Sequence, residues 1–509
     1  MLAKIYSGAL VGIDSVLIEV EVDVASLGMP SFTIVGLPDK AVEEAKERVK
    51  SAIKNSGANF PVKRITVNLA PADFPKEGPS YDLPIALGIL IASGQLVCDM
   101  SKCFLLGELS LDGSLRSVRG VLPYTMLAKE KGFSDVFIPA HNAREASLIS
   151  EITVYPVESL KELVVHLSQV KKIDPQPFLN YQDLSVIDQF DSDLKDVKGQ
   201  EQAKRALEIG AAGGHNLFFK GPPGGGKTLL ARTLPSILPR LTLAESLEVT
   251  KIYSTAGLLP KDMPLLIRRP FRSPHHSISY AGLIGGGSNP RPGEISLSHR
   301  GVLFLDEFPE FPRQVLESMR QPLEDGIVAV SRVKSTCYFP SRFMLVAAAN
   351  PCPCGYLGDS KHICTCSSSQ ITRYQKRISG PIIDRIDLQV DVPAVKFDKL
   401  TEEDEVRESS CDVSKRVWAA YERQKKRFAE DGIFSNSEMR LKEIKKYCHI
   451  EREAYVLLKE AVSKMNLSAR SYFKIIKLSQ TIADLEETEK IRSHHVAEAL
   501  QYRFRDVGM

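Results

Sequence analysis

The chain has 509 residues, 43% of them hydrophobic and 25% charged, a balance that excludes intrinsic disorder and leaves room for about three domains of ordinary size. A formal net charge of +3 is too small to imply nucleic acid by itself, so any nucleic-acid surface has to be local. No apolar run approaches a membrane span, and polar and acidic breaks in MLAKIYSGALVGIDSV exclude a signal-peptide core, so the expected location is the cytoplasm.

Residues 1–170 alternate between strand-like and helix-like stretches, as an α+β domain does. The run Pro75-Lys76-Glu77-Gly78-Pro79-Ser80 within it resembles the proteolytic domain of Lon, where a nucleophilic serine stands in the place of Ser80. That chemistry needs a base, which a lysine supplies in Lon-type enzymes. Its place, two residues after Gly120, holds Leu122, which cannot take a proton. Lys129 lies nearly two helical turns further on, roughly 10 Å by the helical rise. The domain is therefore expected to be a proteolytically inactive scaffold, with Ser80 as a turn residue. Residues 171–195, polar and with two prolines, read as a linker.

Residues 196–395 carry the strongest signal. The apolar run Leu217-Phe218-Phe219 leads into Gly221-Pro222-Pro223-Gly224-Gly225-Gly226-Lys227-Thr228 and then into the helix-like TLLARTL. Glycines in such a loop let successive N–H groups turn inward on a phosphate, while the helix directs its positive end at the same charge. Lys227 is placed to reach the β- and γ-phosphates of ATP, and Thr228 to hold Mg²⁺. A second buried strand, Val302-Leu303-Phe304-Leu305, ends in Asp306-Glu307. There Asp306 would bind Mg²⁺ through water and Glu307 would polarise the attacking water. A third apolar strand, 343–349, ends in Asn350, whose amide could orient that water against the γ-phosphate.

Between these signals, 326–339 reads GIVAVSRVKSTCYF, two β-prone runs around Ser331-Arg332-Val333-Lys334. Past Asn350 come Cys352-Pro353-Cys354 and, nine residues later, Cys364-Thr365-Cys366, two close pairs suited to tetrahedral zinc. A redox or unligated set is the alternative, and His362 could replace one ligand. Cys98, Cys103, Cys337, Cys411 and Cys448 are scattered and read as core residues or free thiols. Residues 396–509 are helical in pattern, notably 442–464 and 471–485, and suggest a C-terminal helical lid domain.

Several runs together resemble the magnesium-chelatase-like AAA+ family of the YifB and ComM type: Arg272-Ser273-Pro274-His275-His276, Gly285 to Gly287, PRPGEISLSHRGVLFLDE, NPCPCG from Asn350, and GPIIDRID from Gly380. The resemblance spans essentially the whole chain. It implies a Lon-protease-like α+β domain, an AAA+ P-loop α/β domain with a helix-2 insert and a pre-sensor-1 hairpin, and a helical lid. It also implies a homohexameric ATPase acting on single-stranded or branched DNA, of a type associated with branch migration in natural transformation. By resemblance Arg385 is the arginine finger that completes a neighbour's site, and Arg470 the sensor arginine of the lid. Arg332 and Lys334 would tip the pore hairpin that grips DNA, and the insert with His275 and Gly285 would be a second DNA-contacting element. A chelatase motor for metal insertion and a Lon-like ATP-dependent protease are the competing readings.

Overall fold

The computed structural model describes residues 2–25, 28–183, 190–260, 262–287, 290–331, 336–359, 362–394, 407–465 and 467–503. They gather into two compact units, Met1–Val186 with Leu243–Leu266, and Ile187–Thr242 with Ile267–Met509.

In the first unit a seven-stranded sheet runs in the order Ser31–Val35, Arg64–Ala70, Asp14–Val24, Leu2–Val11, Cys103–Leu105, Asp135–Pro139, Thr153–Val157. Leu2–Val11 and Asp14–Val24 form a hairpin across Gly12-Ile13, with Gly12 at φ 66° as so tight a reversal requires. From Leu2–Val11 to Thr153–Val157 every neighbouring pair is parallel. Alternation along Asp14–Val24 buries Ile18, Val20, Val22 and Val24 on one face. The helix Asp82–Ala92 covers that face so closely that a Cβ on Gly88 would lie 2.5 Å from Val22 Cγ2.

The helix Leu243–Ala256 lies within the 196–395 stretch of the sequence yet folds with the first unit. Its Ser254 hydroxyl bonds the buried carboxylate of Glu145, and the same oxygen accepts the Leu122 N–H at 2.9 Å. Ser254 also accepts the Gly120 N–H at 3.1 Å. A buried carboxyl group needs donors on all sides, and this helix supplies one of them.

The second unit is built on five parallel strands in the order Phe271–Arg272, Val302–Leu305, Met344–Ala349, Leu217–Lys220, Leu388–Asp391. Val302–Leu305 and Met344–Ala349 are buried along their whole length, as expected for central parallel strands covered on both faces. The register pairs Lys220 with both Ala349 and Asp391, and Leu305 with Ala347. Gly221, Asp306 and Asn350 therefore leave the sheet at one edge, the carboxyl ends where open α/β sheets take their ligands. Ile327–Ser331 and Thr336–Pro340 pair antiparallel as a hairpin; Arg332 and Lys334, at its tip in the sequence, lie outside the described residues. Helices Ser410–Arg427, Leu441–Tyr447, Arg452–Lys464, Ala469–Leu485 and Ser493–Gln501 complete the unit, with Val413, Val417 and Ala420 sharing the core of the helices flanking the sheet. Among the described residues no helix is long and apolar enough to cross a membrane.

Candidate functional site

The loop Gly221–Thr228 is held at the sheet edge by its glycines. Gly221 donates its N–H to Ala349 O at 3.2 Å, and any Cβ at that position would lie 2.0 Å from Val392 O. Gly224 and Gly226 adopt φ of 75° and 88°, left-handed conformations that turn the backbone before the helix Lys227–Ile237 begins. Gln200 clamps the outer side, its amide donating to Gly225 O at 3.1 Å and Pro393 O at 2.6 Å. Gln200 carries no motif signal, and only its position before the helix Glu201–Gly213 marks it.

The reactive groups converge inside this loop. Lys227 is buried and donates to Gly221 O at 2.7 Å, Pro222 O at 2.8 Å and Asn350 Oδ1 at 3.0 Å. Burial lowers its ammonium pKa, and the nearby Asp306 carboxylate acts the other way. Thr228 Oγ1 donates to Asp306 Oδ2 at 2.7 Å. The four side chains of the expected ATP and Mg²⁺ set, from three different strand ends, thus form two hydrogen-bonded pairs, Lys227 with Asn350 and Thr228 with Asp306, on adjacent residues of the loop. A hydroxyl beside a carboxylate is the hard oxygen donor pair that Mg²⁺ prefers.

Glu307 joins the site through its backbone, whose N–H donates to Asp306 Oδ1 at 2.9 Å. It is a non-glycine residue at φ 51°, an uncommon conformation that tends to be kept at functional sites. Its carboxylate meets His276 Nδ1 at 3.2 Å. The contact follows from topology: Phe271–Arg272 runs parallel to Val302–Leu303, so Ser273 to His276 emerge beside Asp306-Glu307. His275 stacks on His276 at 4.0 Å and bonds Ser277 Oγ at 2.8 Å. Arg272 is spent on a bidentate pair with Glu294, at 2.6 and 2.7 Å. Gly285 is at φ 110°, and a Cβ there would lie 2.4 Å from Arg291 O, so its own hairpin with Arg291–Pro292 already requires glycine.

Arg385 and Arg470 do not enter the Lys227 group; they come together at Glu324. Arg385 Nη2 lies 2.6 Å from Glu324 Oε1, and Arg470 bonds the same oxygen. The Arg385 Nε is buried without a partner among the described residues, and burial lowers the guanidinium pKa against the pull of Asp384. Asp387, in the same motif, faces Lys474 at 2.9 Å and accepts the Asn216 N–H at 3.1 Å. Burial would raise its pKa, but Lys474 and His215 hold it well below the carboxylate range.

The four cysteines following Asn350 form one cluster. Cys352 Sγ lies 3.4 Å from Cys354 Sγ and 3.7 Å from Cys364 Sγ, Cys354 and Cys364 are 3.6 Å apart, and all four sulfurs lie within 4.8 Å of one another. These separations are far from the roughly 2 Å of a disulfide and close to the ~3.8 Å edge of a tetrahedron with zinc–sulfur bonds of about 2.3 Å. His362 stands outside the cluster, against Tyr356 and 3.7 Å from Asp359. Gly355, next to Cys354, packs against the phosphate loop: a Cβ there would meet Pro223 Cδ at 2.5 Å.

In the first unit, buried Ser80 lies in the short helical turn Pro79–Tyr81, near the buried Tyr124 phenol, and its backbone carbonyl accepts the Gly107 N–H at 3.0 Å. Leu122 is fully buried in the helix Val121–Glu130. Lys76 is buried with its ammonium on the carbonyls of Pro71 and Phe74, and Lys129 pairs with Glu151 at 3.5 Å. Neither lysine is directed at Ser80.

Family models described as magnesium chelatase, subunit ChlI, match residues 193–400; subunit ChlI of Mg-chelatase, 20–142; and its C-terminal part, 407–503. The chain is 44% identical to competence protein ComM of Haemophilus influenzae, over 99% of this chain and 97% of that protein. It is 42% identical, over the same shares, to an uncharacterized protein, YifB, of Salmonella typhimurium. A stretch covering 32% of each chain is 28% identical to Lon protease 2 of Bacillus subtilis.

Proposed function

Since the chain belongs to the magnesium-chelatase-like family of the YifB and ComM type, an AAA+ family with ATPase chemistry, we propose that it is a ring-forming DNA translocase. In this reading a homohexamer hydrolyses ATP to drive branch migration during recombination of incoming DNA in natural transformation. The ATP half is carried by the two adjacent hydrogen-bonded pairs, Lys227 with Asn350 and Thr228 with Asp306, at the carboxyl ends of the sheet. The DNA half is supported by full-length similarity to a competence protein.

Each residue then has a task. Lys227 and the loop N–H groups bind the phosphates, and Thr228 and Asp306 would hold Mg²⁺, which neutralises phosphate charge when bound. Asn350 links the phosphate-binding lysine to the end of its own strand, so it can orient a water against the γ-phosphate. Glu307 polarises that water once it leaves His276. Arg385 and Arg470, both on Glu324, act from one surface on a neighbouring subunit's nucleotide, where a guanidinium stabilises transferring phosphoryl charge. The thiolate cluster holds zinc and fixes the segment that packs on Pro223. The first unit is a scaffold without peptidase activity.

The deciding experiment measures ATP turnover of the assembled protein with and without forked DNA, and migration of a four-way junction. DNA-stimulated turnover and ATP-dependent migration with little sequence preference are expected. If an assembled ring neither binds DNA nor responds to it, the translocase reading fails and a chelatase-type motor takes its place.

A further inference from the structure

We propose that a basic cleft in the second unit, separate from the phosphate loop, binds the sugar-phosphate backbone of a single DNA strand. The proposal deepens the translocase reading and rests on it.

The cleft, of about 910 Å³, opens between the turn 309–313, just past Asp306-Glu307, and the helix Ser368–Gln375 with the two residues after it. Helical spacing puts Thr372, Arg373, Lys376 and Arg377 along one face of that segment, opposite Arg313. Four cations thus line the cleft with one carboxylate, Glu310, which Arg377 takes at 2.6 Å. The local excess of three positive charges equals that of the whole chain. Among the described residues Arg313, Arg373 and Lys376 have no carboxylate partner, although the surface is rich in ion pairs elsewhere.

This concentration contrasts with the insert, where Arg272 pairs with Glu294 and Arg269 donates to the carbonyls of Pro239 and Arg300. Unpaired like charges around a concave surface focus a positive potential that a polyanion relieves. The aromatic of the cleft, Phe311, is buried, so no ring is offered for base stacking. Hydroxyl and cationic donors without stacking platforms suit phosphodiesters and are blind to sequence. The cleft begins two residues after Glu307, and its helix starts two residues after Cys366, so a strand lodged there touches both segments that frame the nucleotide site.

The test is the full-length triple variant Arg313→Ala/Arg373→Ala/Lys376→Ala, titrated with a labelled oligothymidylate across a salt series. Loss of three phosphate contacts is expected to make the slope of log affinity against log salt shallower by about 2, and to weaken binding at least about tenfold near 0.1 M salt. ATP binding and ring assembly should persist, and the corresponding lysine replacements at 313 and 373 should retain most of the affinity. An unchanged slope overturns the cleft assignment. So does a variant that no longer assembles yet keeps the parent's salt slope, which would make the cleft a contact for an acidic protein surface. A parent that binds no oligothymidylate at all overturns the DNA reading itself, an outcome distinct from either.

Discussion

Ser80 in the first unit and Lys227 in the second each close a Gly/Pro-rich run that names a chemistry, but their surroundings differ. Around Lys227 and Thr228, residues from three strand ends meet within hydrogen-bonding distance, and the proposed function gives each of them a task in phosphate chemistry. Near Ser80 stands a buried phenol, and Lys76 and Lys129 are both engaged elsewhere. A local run can survive because it builds a turn; a constellation persists only where its members share a purpose. The two sites can be pulled apart, or forced together, by mutation.

The largest effect is expected at the phosphate loop. Lys227→Ala removes the charge that meets the phosphates and should abolish nucleotide binding and turnover together. Glu307→Gln keeps loop, lysine and Mg²⁺ donors, so it should bind ATP while turnover falls by a factor on the order of 10²–10⁴, the range for a lost general base. Equilibrium binding of a fluorescent nucleotide alongside steady-state hydrolysis separates the two. Near-parental turnover by the glutamine variant would remove Glu307 from the chemistry.

Next comes the arginine pair. Arg385→Ala should still form rings but lose about 10³-fold or more in turnover, the scale of a missing arginine finger. Mixing it with Lys227→Ala should restore part of the activity, because hybrid interfaces join an intact loop to an intact arginine. No recovery in demonstrated mixed rings would leave Arg385 and Arg470 as structural partners of Glu324.

A smaller loss is expected from the thiolate cluster. Cys364→Ser should abolish the stoichiometric zinc found by metal analysis of protein purified without chelator. It should also cut turnover about tenfold, since the metal acts on Asn350 and Pro223 only by positioning their segment. Metal-free parent protein with full activity would refute the assignment.

These effects also mark what could be read from the chain alone. The loop Gly221–Thr228, the carboxylates after Val302–Leu305 and the spacing of the cysteine pairs are local patterns, and each follows from chain geometry over a few residues. The hairpin strands Ile327–Ser331 and Thr336–Pro340 were legible from alternating β-prone residues. What stayed hidden depends on distant pairing. Nothing near Glu324 announces that Arg385 and Arg470 converge on it, and His276 reaches Glu307 only because two strands lie side by side. The helix Leu243–Ala256 is apolar on several faces, and that pattern cannot say which core receives it. Its place in the first unit follows from buried Glu145, a residue more than ninety positions away.

The smallest effect is reserved for Ser80, and it completes the comparison. If this serine is a packing residue, Ser80→Ala removes only a small buried hydroxyl and should cost no more than about 1 kcal/mol of stability in the first unit. ATP turnover should stay at the parental level, and an unfolded protein substrate should remain intact with or without ATP. Leu122→Lys puts an amine where Lon-type enzymes carry their base, but in a fully buried position whose backbone N–H already serves Glu145. It should therefore destabilise the unit rather than create a peptidase. ATP-dependent cleavage by the parent that disappears in Ser80→Ala would defeat this account and make the two units alike, each with a working centre.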